Sequence, residues 1–165
     1  MAEGRDVRRS EVRLYPITEG GMLHVAGHLR DVDRREIAAG SRRSALEAIR
    51  HSAESSSEAF EARARGSAIC VGGVGVISAE ERRGSPWMLA TDELQRYPAT
   101  LMRLSHAWIA DVRTRWAHLI NFVHAENEVS IQWLRALGFT IHKAVPHGPH
   151  GSLFHPFTME GDPRV

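Results

Sequence analysis

Cysteine is nearly absent from this sequence: Cys70 stands alone among 165 residues, which excludes an intramolecular disulfide framework and fits a reducing compartment. It lies in the apolar run 68–78 and reads as a small buried hydrophobe. A charge excess is missing too. The 21 basic and 20 acidic side chains leave a net charge of +1, so specific nucleic acid is not an expected partner. No stretch approaches the roughly 20 apolar residues of a membrane span. The N-terminal residues lack the apolar centre of a signal peptide, so the chain is expected to be made and kept in a cytoplasm. There is no Gly-x-Ser-x-Gly elbow, so a hydrolase reading has no support.

What remains is ordinary for a globular protein: 42% hydrophobic and 25% charged residues, with a length that suits one domain over residues 1–165. Residues 1–11 mix arginines with acids and read as a flexible arm, or one ordered by a partner. Ten histidines are many, and His147, His150 and His155 lie close together. No cysteine joins them and their spacing fits no common zinc site, so they read as loop or interface residues and no metal is expected. The four tryptophans read as core and rim, not as a stacking platform for bases.

In chain order, residues 12–17 form a short strand that Pro16 places at an edge or ends. Residues 22–39 carry apolar positions at helical spacing, with Asp31 or Asp33 capping the second half. A helix over 44–53 is capped by Ser41 or Ser44. Residues 59–65 alternate as a half-exposed strand, and 68–78 read as a strand buried on both faces. Gly72, Gly73 and Gly75 resemble a phosphate loop, but no helix follows them, so a bulged strand with close backbone approach accounts for them better. A strand over 86–91 precedes the longest helix, 94–115, where Pro98 suits a first helical position.

The most informative stretch is 121–139. A strand over 118–125 stops at Glu126, and Asn127 caps a short helix whose first turn carries Glu128. Ile131, Leu134 and Leu137 fall at helical spacing, Gly138 suits a left-handed C-cap, and Phe139 opens a strand. The last strand covers 154–159. The expected class is α/β (α+β): one mixed sheet with alternating helices.

Asn127-x-x-Ser130-x-x-x-Leu134-x-x-x-Gly138-Phe139 resembles the fifth strand and fourth helix of the GNAT (Gcn5-related N-acetyltransferase) fold, and Asp33-Arg34-Arg35-Glu36-Ile37 is similar to that family's first-helix pattern. The resemblance implies a mixed, mostly antiparallel sheet flanked by about four helices. More narrowly, residues 84–159 resemble small GNAT-like proteins of short-tailed bacteriophages, one of them an internal virion protein.

Family enzymes hold the pyrophosphate of acetyl-CoA in an Arg/Gln-x-x-Gly-x-Gly/Ala loop and protonate the leaving thiolate with a tyrosine. Here residues 91–100 contain no glycine, Pro98 removes an N–H donor, and Asp92 and Glu93 would repel an anion. Leu134 stands at the tyrosine position.

The resemblance therefore implies a catalytically inactive, virion-associated scaffold or assembly protein with no catalytic residue and no cofactor. Its partners would be phage structural proteins (portal, head–tail or internal virion components), with a homo-oligomer also open, in the host cytoplasm and then the virion. The alternative is an acyl-CoA-dependent N-acetyltransferase with a degenerate loop, in which Asn127 and Arg96 would contact acetyl-CoA.

Overall fold

The structure, a computed structural model, describes residues 12–163, so the arm expected over 1–11 lies outside the described residues. Strand β1 (Arg13–Pro16) is followed by helices α1 (Glu19–Gly27), α2 (Asp31–Gly40) and α3 (Ala45–Glu54). Strands β2 (Ser56–Ala64), β3 (Ser67–Ser78) and β4 (Arg83–Ala90) form a meander. A 3₁₀ turn (Asp92–Arg96) leads into α4 (Pro98–Val112). Then come β5 (His118–His124), α5 (Glu128–Ala136), β6 (Thr140–Ile141), β7 (Val145–His147) and β8 (Ser152–Glu160).

One sheet runs β1-β2-β3-β4-β5-β8-β6, with β7 also on β8, and only the β4–β5 contact is parallel. β1 is indeed an edge strand, where Pro16 costs no ladder bond on its open side. Helices α1 and α3 bury Val25 and Ile49 against Val71 on one face. On the other, α4 and α5 pack Leu101, Ile109, Ile131 and Leu134 against β2–β5 and β8. A mixed, mostly antiparallel sheet between two helical layers is the expected class.

Five α-helices are described where about four were expected. The added one arises because residues 22–39 do not form a single helix. At Leu29–Arg30 the chain leaves helical geometry: Leu29 bridges Thr91 and the Arg30 N–H donates to the Ala90 carbonyl at 2.9 Å. Local periodicity does not encode that tertiary bond. Neither aspartate caps α2, whose N-cap is Arg30 without a side-chain bond; Asp33 instead turns into the interior.

Two further boundaries differ. The helix expected over 94–115 is a 3₁₀ turn and then α4, which starts at Pro98. The strand expected from Phe139 is two short pieces, β6 and β7, both paired to β8. Other signals hold. Ser44 and Glu47 form a reciprocal capping box on α3, and Gly138 sits at φ 99° just beyond α5. The glycines of β3 reflect close approach: a Cβ on Gly72 would lie 2.8 Å from the Trp87 carbonyl oxygen, and one on Gly73 2.4 Å from that of Glu58.

Candidate active site

β4 and β5 start together and separate. Their parallel pairing covers only Arg83 with His118 and Gly84 with Leu119. The sequence supplies the wedge. Within a strand, the N–H and C=O of one residue point to the same side, and the Pro86 carbonyl faces β5, where it accepts from Asn121 Nδ2 at 2.9 Å. Pro86 therefore has no N–H to donate where the ladder would continue. Asn121 Oδ1 accepts the Phe122 N–H at 2.8 Å, which occupies a β5 donor that would otherwise face β4.

Farther along, Ala90 faces the gap and is satisfied from α2. Its N–H donates to Asp33 Oδ2 at 2.9 Å and its carbonyl accepts from Arg30 N–H. Arg30 in turn holds Asp33 through Nε and Nη2, each at 2.9 Å. Alternation leaves the N–H and C=O of Met88, between Pro86 and Ala90, pointing into the open gap.

The gap widens into a cavity of about 330 Å³ that passes between the strands and meets both helical layers. Its walls are mainly apolar, and the ionisable side chains among the lining residues include Glu36, Asp33, Cys70 and His147. Burial pushes the Cys70 thiol up to about 12, so it is no nucleophile.

Glu36 is different. It hangs from α2 over the open end of β5, accepting from Asn127 Nδ2 at 2.5 Å and from the His124 backbone. Burial, helped by the negative charge of Asp33, raises its carboxyl to about 7 against the Asn127 and His124 bonds and the Arg30 charge. Asp33 and Glu36 thus sit one turn apart in contrasting environments: one ion-paired and structural, the other near neutrality at a cavity wall.

Asn127, expected to contact a cofactor, is buried, with a hydrogen bond at each of its amide heavy atoms. Its Oδ1 caps α5 by accepting the Ser130 N–H at 3.3 Å, and its amide nitrogen holds Glu36. Arg96, the other expected contact, lies at the end of the 3₁₀ turn before α4, exposed and 3.5 Å from Glu93. No hydrogen bond joins these two residues; Arg96 follows β4 and Asn127 follows β5.

Leu134 packs into the core, and together with Trp133 it lines the cavity without filling it. Trp133 Nε1 is a buried donor without a hydrogen-bond partner. Of the late histidines, His147 stacks on Phe122 and His155 bonds the His142 carbonyl; no group of three potential metal ligands occurs among the described residues.

Most of the residues that shape this site carry no sequence signal of their own role. Glu36 and Asp33 were visible only as a helix pattern, and Pro86 only as a strand residue. Asn121 opens the key stretch, but its bond to a strand 35 positions earlier has no local signal.

No family model and no curated protein matches the chain. Solved structures do. A ribosomal-protein-alanine N-acetyltransferase from Brucella melitensis superposes with TM-score 0.69 at 16% identity, over 90% of this chain and 99% of that one. The ribosomal-protein-S18-alanine N-acetyltransferase of Escherichia coli gives 0.62 at 16% identity over 93% and 96%. A spermidine N-acetyltransferase from Vibrio cholerae, solved with CoA and spermine, gives 0.64 at 10% identity over 92% and 96%. The chain therefore has a GNAT-like acetyltransferase fold. At these identities the likeness establishes the fold alone.

Proposed function

We propose that the chain is an N-acyltransferase, moving an acyl group from a CoA thioester to an amine at the gap between β4 and β5. The observation that carries this reading is Glu36: a carboxyl raised to about 7, held over an open cavity. Amines arrive protonated near neutral pH and must lose a proton before attack, and a base poised near the working pH does this best. Glu36 takes one proton from the ammonium, and the neutral nitrogen forms its bond to the acyl carbon. The carbon–sulfur bond breaks to release the thiolate, and the second N–H proton of the resulting amide nitrogen passes to water. The Met88 N–H, unpaired and facing the gap, suits the carbonyl oxygen on which charge develops.

Part of the cleft fits such a donor and part fits it less well. The narrow apolar gap suits a pantetheine arm, and the orphaned Trp133 indole N–H offers a donor to a bound polar atom. At the phosphate end α4 begins without a side-chain cap, which leaves its dipole available, but Pro98 removes a donor and the Leu101 N–H is already bonded to Tyr97. Arg96, two residues before Pro98 in the chain, is the cation at the end of the preceding turn. Affinity for CoA is therefore modest. Leu134 offers no proton to the departing sulfur, which leaves as thiolate, tolerable for a thiol with pKa about 8.5.

The test is acetyl transfer from acetyl-CoA by the intact chain and by Glu36→Gln, with at least a hundredfold loss expected in the variant. Equal rates for the two would remove Glu36 from the chemistry. The virion-associated scaffold reading is favoured by Pro98 and Leu134 and makes the opposite prediction, no donor binding at all.

A further inference from the structure

The acceptor side of the cavity has a composition of its own, and resting on the transferase reading above, we infer that it selects a monoamine with an aromatic or aliphatic body. The wall on the α2–α3 face is built from Trp87, Phe122, His147, Phe154 and Ile37, with Glu36, which accepts from Asn127 and His124, as the lining carboxylate that forms no ion pair among the described residues. Phe122 and His147 stack with ring centroids 3.8 Å apart, and His147 meets Phe154 edge-on at 5.3 Å, so these rings hold each other in place. The Trp87 indole N–H is bound to Ser56 at 2.9 Å, which fixes that ring too. Aromatic faces around a single carboxylate recognise an ammonium by charge and cation–π attraction, and its apolar substituent by burial.

The same wall disfavours other amines. A polyamine brings a second ammonium, and the other carboxylate of the cavity, Asp33, is already committed to Arg30 and the Ala90 N–H. An unpaired charge in an apolar cavity is costly. A peptide N-terminus brings amides that need partners, and on β5 the Phe122 and His124 amides are taken by Asn121 and Glu36. Volume agrees: about 330 Å³ is near the lower end for ligand pockets, roughly 300–1,000 Å³, so donor and acceptor must both be slender.

The experiment is calorimetric titration of the full chain at pH 8, without thioester, by 2-phenylethylamine, spermidine and alanyl-alanine amide. Saturable binding of phenylethylamine at least tenfold tighter than either competitor is expected. Phe122→Ala should weaken phenylethylamine about tenfold and spermidine clearly less, because only phenylethylamine loses the burial of its ring as well, and Glu36→Gln should weaken every amine. Equal or tighter binding of spermidine or the dipeptide, or no saturable heat with any amine, overturns the proposal. These titrations contain no acyl donor, so their outcome is separate from whether acyl transfer occurs.

Discussion

Glu36 and Asp33 share one turn of α2 and act in opposite ways. Asp33 is tied by Arg30 and the Ala90 N–H and works as a strut. Glu36, raised from 4.5 to about 7, titrates at the cavity wall. Two predictions follow from its raised value. The rate of acyl transfer should climb with pH through about 7, because only the ionised carboxylate accepts a proton, and Glu36→Gln should flatten that limb. Stability runs the other way. The fold favours the protonated form, so this contribution is fully present below pH 4.5 and is lost as pH rises through about 7. Glu36→Gln, a neutral isostere, should therefore exceed the parent in stability at pH 8, by up to about 3 kcal/mol, and lose that advantage at pH 4; urea unfolding at both pH values measures it. Pro98 supports a third prediction. Pro98→Ala restores one N–H at the start of α4 and should tighten CoA binding severalfold by calorimetry; unchanged affinity would mean that this helix start does not meet the phosphates.

At the scale of elements, the gap depends on a wedge of side chains. Pro86 withholds a donor, Asn121 occupies two backbone groups, and Asp33 with Arg30 satisfies the end of β4. A second device anchors α1: Glu61, fully buried on β2, accepts from the Thr18 N–H and hydroxyl at 2.9 and 2.8 Å. Gly21 lies against this carboxylate, close enough that an added methyl would overlap it. Gly21→Ala should cost about 2–3 kcal/mol or more, read from the urea midpoint, and a neutral result would mean that α1 can shift freely.

These elements also show what the sequence discloses. The cap at Asn127, the capping box of Ser44 and Glu47, and the glycine stop at Gly138 are local chemistry and were legible. The break at Leu29–Arg30 was not, because a strand some sixty residues away causes it. The burial of Glu61 has no local signal either: it belongs to the charged set of the alternating strand 59–65, and only the folded molecule brings Thr18 and α1 over it.

For the molecule as a whole, a GNAT-like fold carries an open, mostly apolar cleft between β4 and β5, and the proposed transfer needs that cleft to admit an acyl donor. Among the described residues no helix is long and apolar enough to cross a membrane. Bound donor must stabilise the fold by mass action: at 100 times its dissociation constant by roughly 2.7 kcal/mol, which for a domain of this size is a rise of about 5–10 °C in melting temperature. The deciding measurement is thermal unfolding of the intact chain with and without millimolar acetyl-CoA. A clear rise that is reduced by a bulky block of the gap, Met88→Trp, is the predicted result. An unchanged melting temperature up to saturating acetyl-CoA would contradict the transferase account and leave the fold as a scaffold.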